Sequence, residues 1–205
     1  MGLISNGTTI FDAGALDSGV PTGSMIFIKK LTASSSGTLS FVNGASSVVL
    51  DSTYKEYVFT FKDIHPASDG KILTFQGSTN TGSSYGVTIT STFFLAEHNE
   101  DDSSAQLTYA SGSDLTQSTS YKYLSVTTSN GADSCVTGHL RLFNPSSTTF
   151  VKHFIGRTNT MSNSLRSAEA DTAGYFNTTS AIDAIQFKFD SGNIDAGDIC
   201  LYGIL

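Results

Sequence analysis

One pentapeptide of the sequence has the spacing of a serine-hydrolase nucleophile. Residues 82–86 read GSSYG and match G-x-S-x-G, with Ser84 in the nucleophile position. In hydrolases of that type the serine lies between a strand and a helix, because the sharp turn exposes its hydroxyl. Here the next residues, VTITSTFF, are mostly β-branched and aromatic and predict a strand. We therefore expect a polar turn at Ser84 and no nucleophile.

The four histidines are not spaced as metal ligands. They are His65, His98, His139 and His153, and none lies two to five residues from another His or a Cys, as most zinc sites require. A catalytic triad can draw on distant positions, but nothing in the sequence selects one. Phosphate-binding and dinucleotide-binding glycine motifs are also missing. We expect no catalytic residues, and the sequence predicts that the protein is not an enzyme.

A run of acidic and amide residues could hold a calcium ion. The segment AEHNEDDSS (96–104) supplies five oxygen-bearing side chains, namely Glu97, Asn99, Glu100, Asp101 and Asp102. Calcium takes several oxygen ligands from a flexible loop, although the EF-hand spacing is missing here. Two interpretations stay open, a solvated acidic loop and a structural calcium site. No other cofactor is expected.

Four tyrosines flank loops and could form a platform for sugars. They are Tyr109, Tyr121, Tyr123 and Tyr175. Sugar sites use flat aromatic faces, often of Trp, and this chain has no Trp. The alternative interpretation is that these rings pack at the edges of sheets. The tyrosines are the only residues for which we predict glycan binding.

The last nineteen residues, FKFDSGNIDAGDICLYGIL, place four polar side chains between two apolar runs. Asp190, Asn193, Asp195 and Asp198 could be calcium ligands, catalytic carboxylates or turn residues. Side-chain bonds to the backbone explain such residues in turns without a metal. We expect a strand, a turn that contains all four residues, and a final strand that is apolar on both faces and is buried within the sandwich or at an interface.

Strands must position all of these residues, because the chain alternates between apolar and polar positions. In YKEYVFTFK (54–62), Tyr57, Phe59 and Phe61 share one face, as expected for a half-buried strand. Similar runs separated by Gly, Ser, Asn and Asp predict nine to eleven strands, at 24–31, 37–43, 54–62, 71–76, 84–98, 121–128, 136–143, 148–155, 181–190 and 198–205.

The number and spacing of these strands indicate the fold class. We predict an all-β, jelly-roll-like, two-sheet antiparallel β-sandwich with a short extended N-terminal arm. The arm is assigned to residues 1–23 and a single β-sandwich domain to residues 24–205. The only helical candidate is one or two turns at residues 161–168.

Composition and charge exclude several classes of partner. The formal net charge of −7 gives no attraction for phosphate backbones, so nucleic-acid binding is not expected. No run of 18 apolar residues predicts a membrane span, and the N-terminal residues lack the pattern of a secretory signal. Cys135 and Cys200 could pair, or could remain separate small apolar groups.

Several segments resemble small virion accessory proteins of tailed phages that infect marine bacteria, including cyanobacteria. The similarity is carried by MGLISNGTTIFDAGAL, by residues 54–94, by LRLFNPSSTTFVKHFIG and by residues 174–205, and it covers most of the chain. Members of this group resemble β-sandwich head decoration, knob, fibre or tail-associated proteins. The resemblance implies no catalytic motif.

This resemblance sets the functional expectation. It implies a non-catalytic structural protein of the virion, assembled in the bacterial host cytoplasm, most specifically a capsid decoration or cement subunit. Its partners would be other virion proteins, chiefly the major capsid protein, and further copies of itself. The alternative is a tail- or fibre-associated jelly-roll adhesin that binds host-surface glycan.

Overall fold

The computed structural model describes residues 3–5, 8–12, 15–16 and 23–205. Near the N-terminus, β1 (Leu3–Ser5), β2 (Thr8–Asp12) and β3 (Ala15–Leu16) form a small antiparallel sheet. The predicted arm, residues 1–23, thus lies partly outside the described residues. The arm and the single domain at 24–205 stay predictions.

The remaining described chain forms twelve strands and one short 3₁₀ helix, η1, at Ser111–Ser113. The strands are β4 (Met25–Thr32), β5 (Leu39–Val42), β6 (Glu56–Pro66), β7 (Leu73–Ser78), β8 (Ile89–Asn99), β9 (Ala105–Tyr109), β10 (Lys122–Tyr123), β11 (Val136–Phe143), β12 (Lys152–Ser162), β13 (Arg166–Phe176), β14 (Ala184–Phe189) and β15 (Ile194–Ile204).

These strands make two antiparallel sheets that pack as a sandwich, which confirms the predicted fold class. The larger sheet has eight strands in the order β4-β15-β6-β11-β12-β13-β8-β9. The smaller sheet has four, in the order β10-β7-β14-β5. The jelly-roll connectivity stays a prediction. Among the residues described, no helix is long and apolar enough to cross a bilayer.

The core between the sheets is built from the inward positions of alternating strands. In β11, Leu140 and Leu142 are fully buried while His139 and Arg141 are partly or largely exposed, as the sequence predicts. Phenylalanine dominates the centre, where side chains of the two inner faces interdigitate, as in other sandwiches. The central rings are those of Phe41, Phe59, Phe61, Phe75, Phe154, Phe176, Phe187 and Phe189.

The predicted helix at residues 161–168 is wrong. These residues form the tight connection between β12 and β13, which pair antiparallel up to the Ser162–Arg166 partners. Leu165 adopts a φ of 53° in the turn, a left-handed conformation incompatible with a helix. The spacing of Met161, Leu165 and Ala168 imitates a helical repeat only because a hairpin turn lies among them.

The predicted end of the C-terminal turn is also wrong. β15 begins at Ile194, so Asp195 and Asp198 lie within the strand, while Asp190 and Asn193 remain in the connection. Two irregularities in the pairing of β15 with β6 surround Gly197, whose φ is 113°. These bulges break the alternation of inward and outward side chains, so the sequence of residues 194–198 resembles that of a turn.

The last strand is buried within the sandwich on one face only, and burial of its other face at an interface stays a prediction. Ile199 and Leu201 are fully buried, as expected for the inner face. Cys200, Tyr202 and Ile204 alternate with them and remain half-exposed. The strand is therefore apolar on a face that no other part of the described sandwich covers completely.

Candidate functional site

The structure brings three of the four predicted tyrosines to one connection. Tyr109 ends β9, and the chain then passes through η1 to Tyr121 and to Tyr123 in β10. Tyr121 and Tyr123 line a groove of about 180 Å³, which we call the tyrosine groove. Its other lining residues are Gly112, Ser113, Asp114, Leu115 and Ser120. The connection between the two sheets thus contains Tyr109, Tyr121 and Tyr123, the first and last of which are 14 positions apart in the sequence.

Hydrogen bonds from both sheets fix the connection that forms the groove. The Leu115 backbone N–H donates to the Ser91 hydroxyl at 3.0 Å, and the Ser91 N–H donates to the Leu115 carbonyl at 2.9 Å. From the smaller sheet, the Gln76 side-chain amide donates to the carbonyls of Thr119 and Ser120. The groove is therefore held by bonds to β8 and to β7.

Asp114 contributes the negative charge of the groove. The Tyr109 hydroxyl donates to its Oδ2 atom, and this bond raises the pKa of Tyr109. Its Oδ1 atom is buried and has no hydrogen-bond partner among the described residues. A buried acceptor without a donor costs roughly 1–3 kcal/mol. Asp114 therefore has an unused acceptor beside the groove.

Two contacts hold the ring of Tyr121. Its hydroxyl donates to Gln186 Oε1, and the Lys188 ammonium lies 4.3 Å from the ring centroid. Burial raises the pKa of the Tyr121 phenol. Because a cation and a hydrogen bond both restrain this ring, little rotamer freedom remains to be lost when a ligand contacts it.

A buried lysine supports the groove from the interior of the sandwich. Lys122 lies between the two tyrosines in sequence, but its side chain is completely buried. Its ammonium donates to the Ser113 carbonyl at 2.7 Å and lies 4.5 Å from the centroid of the Phe93 ring. Burial lowers the pKa of Lys122 to about 8, while the nearby Asp114 carboxylate opposes this shift.

The lowered pKa of Lys122 predicts a pH-dependent stability. Its folded pKa is about 8 against 10.5 for an unperturbed lysine, so the folded chain loses this proton first as the pH rises. The burial penalty is therefore complete below pH 8 and is relieved between pH 8 and 10.5. We expect the stability of the wild type, relative to Lys122→Met, to rise by about 3 kcal/mol over this interval.

Urea unfolding of both proteins at each pH measures this difference. The comparison cancels the titration of groups that the two chains share. A difference in stability that stays constant across the interval would show that Lys122 keeps an ordinary pKa in the folded state.

Tyr175, the fourth predicted tyrosine, lies elsewhere. It is on β13 in the larger sheet, where its ring contacts His153 at a centroid distance of 5.8 Å. Both side chains line a mainly apolar pocket of about 430 Å³ together with Ile155 and Ala173. The sequence analysis did not anticipate this pocket, because its residues come from three strands that are brought together only by the pairing of the sheet.

This pocket belongs to a wider apolar surface. We call the outer face the side of the larger sheet that is turned away from the smaller sheet. Phe27 and Ile155 are 57% and 50% exposed there, and the ring of Tyr202 contacts Phe27 at 5.6 Å. Cross-strand pairing places one row across six strands, in the order Phe27, Tyr202, Val58, Arg141, Ile155 and Ala173.

The charged side chains of the outer face are engaged with one another. Arg141 Nε lies 2.5 Å from Glu56 Oε1. Lys30 Nζ lies 3.1 Å from Asp198 Oδ2, and with the Thr32 hydroxyl it lowers the pKa of Asp198. Arg157 bridges two further acids, Asp171 at 2.8 Å and Glu169 at 3.3 Å. The outer face thus carries both the apolar row and several ion pairs between its charged side chains.

Three of the five predicted calcium ligands, Asn99, Glu100 and Asp101, line one pocket, whereas Glu97 is engaged elsewhere, and a calcium site stays a prediction. Glu97 is buried, with its Oε1 3.1 Å from Arg166 Nε and its Oε2 accepting from the Gln106 amide at 2.7 Å. Asp101 accepts from the Ser103 N–H, and the Ser103 hydroxyl together with this N–H lowers the pKa of Asp101.

The rest of the acidic segment is engaged locally. Asn99 donates to the Ser103 hydroxyl, and Asp102 lies 3.1 Å from His98. Glu100 donates its backbone N–H to the Leu165 carbonyl. In the described ranges, no group of three or more His, Cys, Asp or Glu side chains is arranged to hold a metal ion, and both cysteines are free thiols.

Ser84 lies in a polar turn. Its hydroxyl accepts from the Asn80 amide at 2.9 Å, and its backbone N–H donates to Asn80 Oδ1 at 3.0 Å. These bonds explain the serine through turn geometry, as the sequence predicts.

The tyrosine groove and the outer face are thus the two surfaces whose residues are not accounted for by the packing of the sandwich. The role of each surface is inferred from its own geometry and chemistry. Comparison of the chain with protein-family models, with curated proteins and with solved structures finds no match.

Proposed function

We propose that this chain is a non-catalytic structural protein of a bacteriophage particle, a capsid decoration subunit whose outer face docks on the major capsid protein. The observation that carries the docking role is the row across the larger sheet, in which Phe27 and Ile155 are exposed and Arg141 is the one charged member. The kind of particle comes from the resemblance of the sequence to virion accessory proteins. The protein would be assembled onto the virion in the host cytoplasm.

The outer face has the area that a stable interface needs. If all eight strands had the 11 residues of β6, at roughly 3.4 Å per residue and roughly 4.8 Å spacing, they would span on the order of 1,400 Å². Three of them, β4, β11 and β9, have only 8, 8 and 5 residues. A standard protein interface buries about 800 Å² on each partner. Shorter strands at both edges reduce the available area, but the central strands alone approach the standard size.

The chemistry of the face also favours a protein partner. Exposed large apolar side chains that cluster on one surface mark interaction sites more often than scattered ones do. The pocket beside Ile155 can accept an apolar anchor from the partner, the kind of contact that dominates interface energies. Three ion pairs of the face, Lys30–Asp198, Glu56–Arg141 and Arg157–Asp171, can be covered together without separating their charges.

A second function is favoured by the tyrosine groove. A tail- or fibre-associated adhesin that binds host-surface glycan would use aromatic and acidic side chains at the end of the sandwich.

Homo-oligomerisation is proposed alongside either function, because paired sheet surfaces protect exposed strands from aggregation. The outer face and the groove are separate surfaces, so the two functions are tested separately.

Substitution of Ile155 tests docking through the outer face. We expect Ile155→Asp to weaken binding to the capsid by at least about tenfold, since a hydrated carboxylate would replace the apolar side chain at the interface. The side chain is half-exposed in the free protein, so the fold should tolerate the change. The measurement is co-sedimentation of the purified protein with particles of the encoding phage from which its gene has been deleted.

Leu165→Asp is the matched control, because Leu165 is 60% exposed but lies in the β12–β13 turn. Equal binding of both variants and the wild type would contradict docking through the outer face. If Ile155→Asp instead abolishes a dimer seen by sedimentation equilibrium and leaves capsid binding unchanged, a second copy covers the face. A virion map without this protein on the head would contradict the capsid assignment.

A further inference from the structure

One edge of the larger sheet lacks the features that protect exposed strands from pairing. The described sheet ends at β4 on one side and at β9 on the other. β4 carries Lys29 and Lys30, and its pairing with β15 contains an irregularity, two features that disfavour further pairing at an edge. β9 reads AQLTY, with no charged residue, no proline and an unbroken register, and all five residues are exposed. β9 is therefore the open edge of the described sheet.

Hydrogen bonds at both ends of the β8–β9 ladder establish which backbone groups of β9 are already used. The Asn99 N–H donates to the Ser104 carbonyl, and the Ala110 N–H donates to the Phe93 carbonyl, both at 2.9 Å. Hydrogen-bonded pairs alternate with non-bonded pairs along an antiparallel ladder. Because the register is unbroken between these ends, the even-numbered residues of β9 bond β8 and the odd-numbered ones direct their N–H and C=O groups outward.

Three residues therefore present a free hydrogen-bonding edge in the described sheet, namely Ala105, Leu107 and Tyr109. They are arranged symmetrically about Leu107, so a second β9 that runs antiparallel meets them in a self-complementary register. Leu107 then lies opposite the Leu107 of the second copy, and Ala105 lies opposite Tyr109, with two hydrogen bonds exchanged in each pair. We propose that two copies of this chain pair through β9 about a twofold axis at Leu107.

The side chains of this edge fit a second copy. Leu107 and Tyr109 are 77% and 59% exposed, and Tyr109 is the cross-strand partner of Phe94, whose neighbour Phe93 is buried in the core. Leu107 and Tyr109 thus lie on the outer face. In the pair, the two Leu107 side chains cover each other and the Tyr109 ring covers the small Ala105. This contact closes after two copies, whereas pairing of β9 with β4 would continue from copy to copy without closing.

The pair would enlarge the docking surface. A twofold axis between antiparallel strands is perpendicular to the sheet, so the outer faces of both copies point in the same direction. Two outer faces that engage one particle surface together bind with avidity. The inference rests on the homo-oligomerisation proposed above, for which it names the contact, and only its consequence for avidity depends on capsid docking. The experiments use the purified protein alone, so pairing and docking can fail separately.

Sedimentation equilibrium of the purified protein tests the pairing. Two five-residue strands bury less than a standard interface, so we expect a weak dimer with a dissociation constant between about 10 μM and 1 mM. About 0.3 M salt screens the net charge of −7 on each copy. Leu107→Lys should weaken the dimer by at least about tenfold, because two ammonium groups would face each other across the axis. A protein that stays monomeric at about 2 mM would overturn the proposal.

Phe150→Lys is the matched control for the added charge. Phe150 is 68% exposed and lies in the connection before β12, three strands away from β9 in the sheet. Both substitutions are at exposed side chains, so circular dichroism should show an intact fold for each. Phe150→Lys should dimerise as the wild type does. Equal weakening by the two substitutions would mean that overall charge controls association, and would contradict pairing through β9.

A disulfide tests the register. Residues of a hydrogen-bonded pair have Cα atoms about 5.5 Å apart, a distance that a disulfide can bridge. In a chain that carries Cys135→Ser and Cys200→Ser, Leu107→Cys should cross-link into a dimer when diamide oxidises the two thiols. Ala105→Cys is the control, because the register separates the two copies of residue 105 by about four positions, or roughly 14 Å. Cross-linking of neither variant, or of both equally, would overturn the proposal.

Discussion

Replacing Phe187 by alanine is expected to lower the free energy of unfolding by about 3–5 kcal/mol. Phe187 lies on β14 and is fully buried at the centre of the core. Its ring contacts those of Phe41, Phe59, Phe61 and Phe75, with centroids 5.2 to 6.4 Å apart. Truncation removes contacts to both sheets and leaves a cavity that rigid neighbouring strands cannot close.

The expected loss is a large part of the stability of a typical domain, which is about 5–15 kcal/mol. Urea unfolding followed by circular dichroism measures it as a lower midpoint with an unchanged slope. Phe150→Ala is the matched control, because Phe150 is 68% exposed and its truncation should cost less than about 0.5 kcal/mol. A loss below about 1 kcal/mol for Phe187→Ala would show that this ring does not join the two sheets.

The core was predictable because large side chains alternate in the strands that build it. Tyr57, Phe59 and Phe61 stand at every second position of β6, and all three are buried as predicted. Local pattern suffices here, since a period of two assigns these side chains to one face whatever the strand pairs with. The sandwich follows from several such strands, each with one apolar face to cover.

β13 was not predicted, because its inward positions are small. Ala168, Ala170 and Thr172 face the interior, and they give little hydrophobic contrast with the polar positions between them. Gly174 continues the series where a Cβ atom would lie only 2.4 Å from the Thr90 carbonyl oxygen. Close approach of neighbouring strands explains this glycine, but that approach depends on the pairing of β13 with β8.

The tyrosine groove was predictable in part. The sequence identified Tyr109, Tyr121 and Tyr123 as residues beside loops, but it could not distinguish them from Tyr175. The distinction depends on sheet membership, because β9 and β10 lie at sheet edges while β13 is inside the larger sheet. Asp114 was missed, since a single acidic residue in a Ser-rich segment has no distinctive spacing.

The outer face could not be found from local patterns. Its apolar row joins residues from six strands, and neighbours such as Phe27 and Tyr202 are far apart in the sequence. A one-residue change in register would move any of these side chains to the other face. The exposed apolar surface is therefore a property of the pairing of strands.

Deletion of Leu201–Leu205 is expected to unfold the sandwich. β15 lies between β4 and β6, and in the described sheet β4 is paired with β15 alone. The deletion removes fully buried Leu201, whose burial contributes about 1.5–3 kcal/mol, together with the ladder bonds of four residues. It also uncovers Tyr54, whose ring packs so closely on Gly203 that a Cβ atom there would lie 2.3 Å from it.

We expect unfolding because the deleted residues belong to an inner strand of the sheet, and not because of their place in the sequence. Loss of four of the eleven residues of β15 removes four of its seven pairings with β4 and exposes part of an edge of β6, so contacts are lost on both sides of one strand. Circular dichroism and the dispersion of amide NMR signals should show an unfolded chain. Asp195→Asn, in the exposed part of the same strand, should change stability by less than about 0.5 kcal/mol. A truncated chain that melts at the wild-type temperature would mean that the first seven residues of β15 hold β4 and β6 together without Leu201.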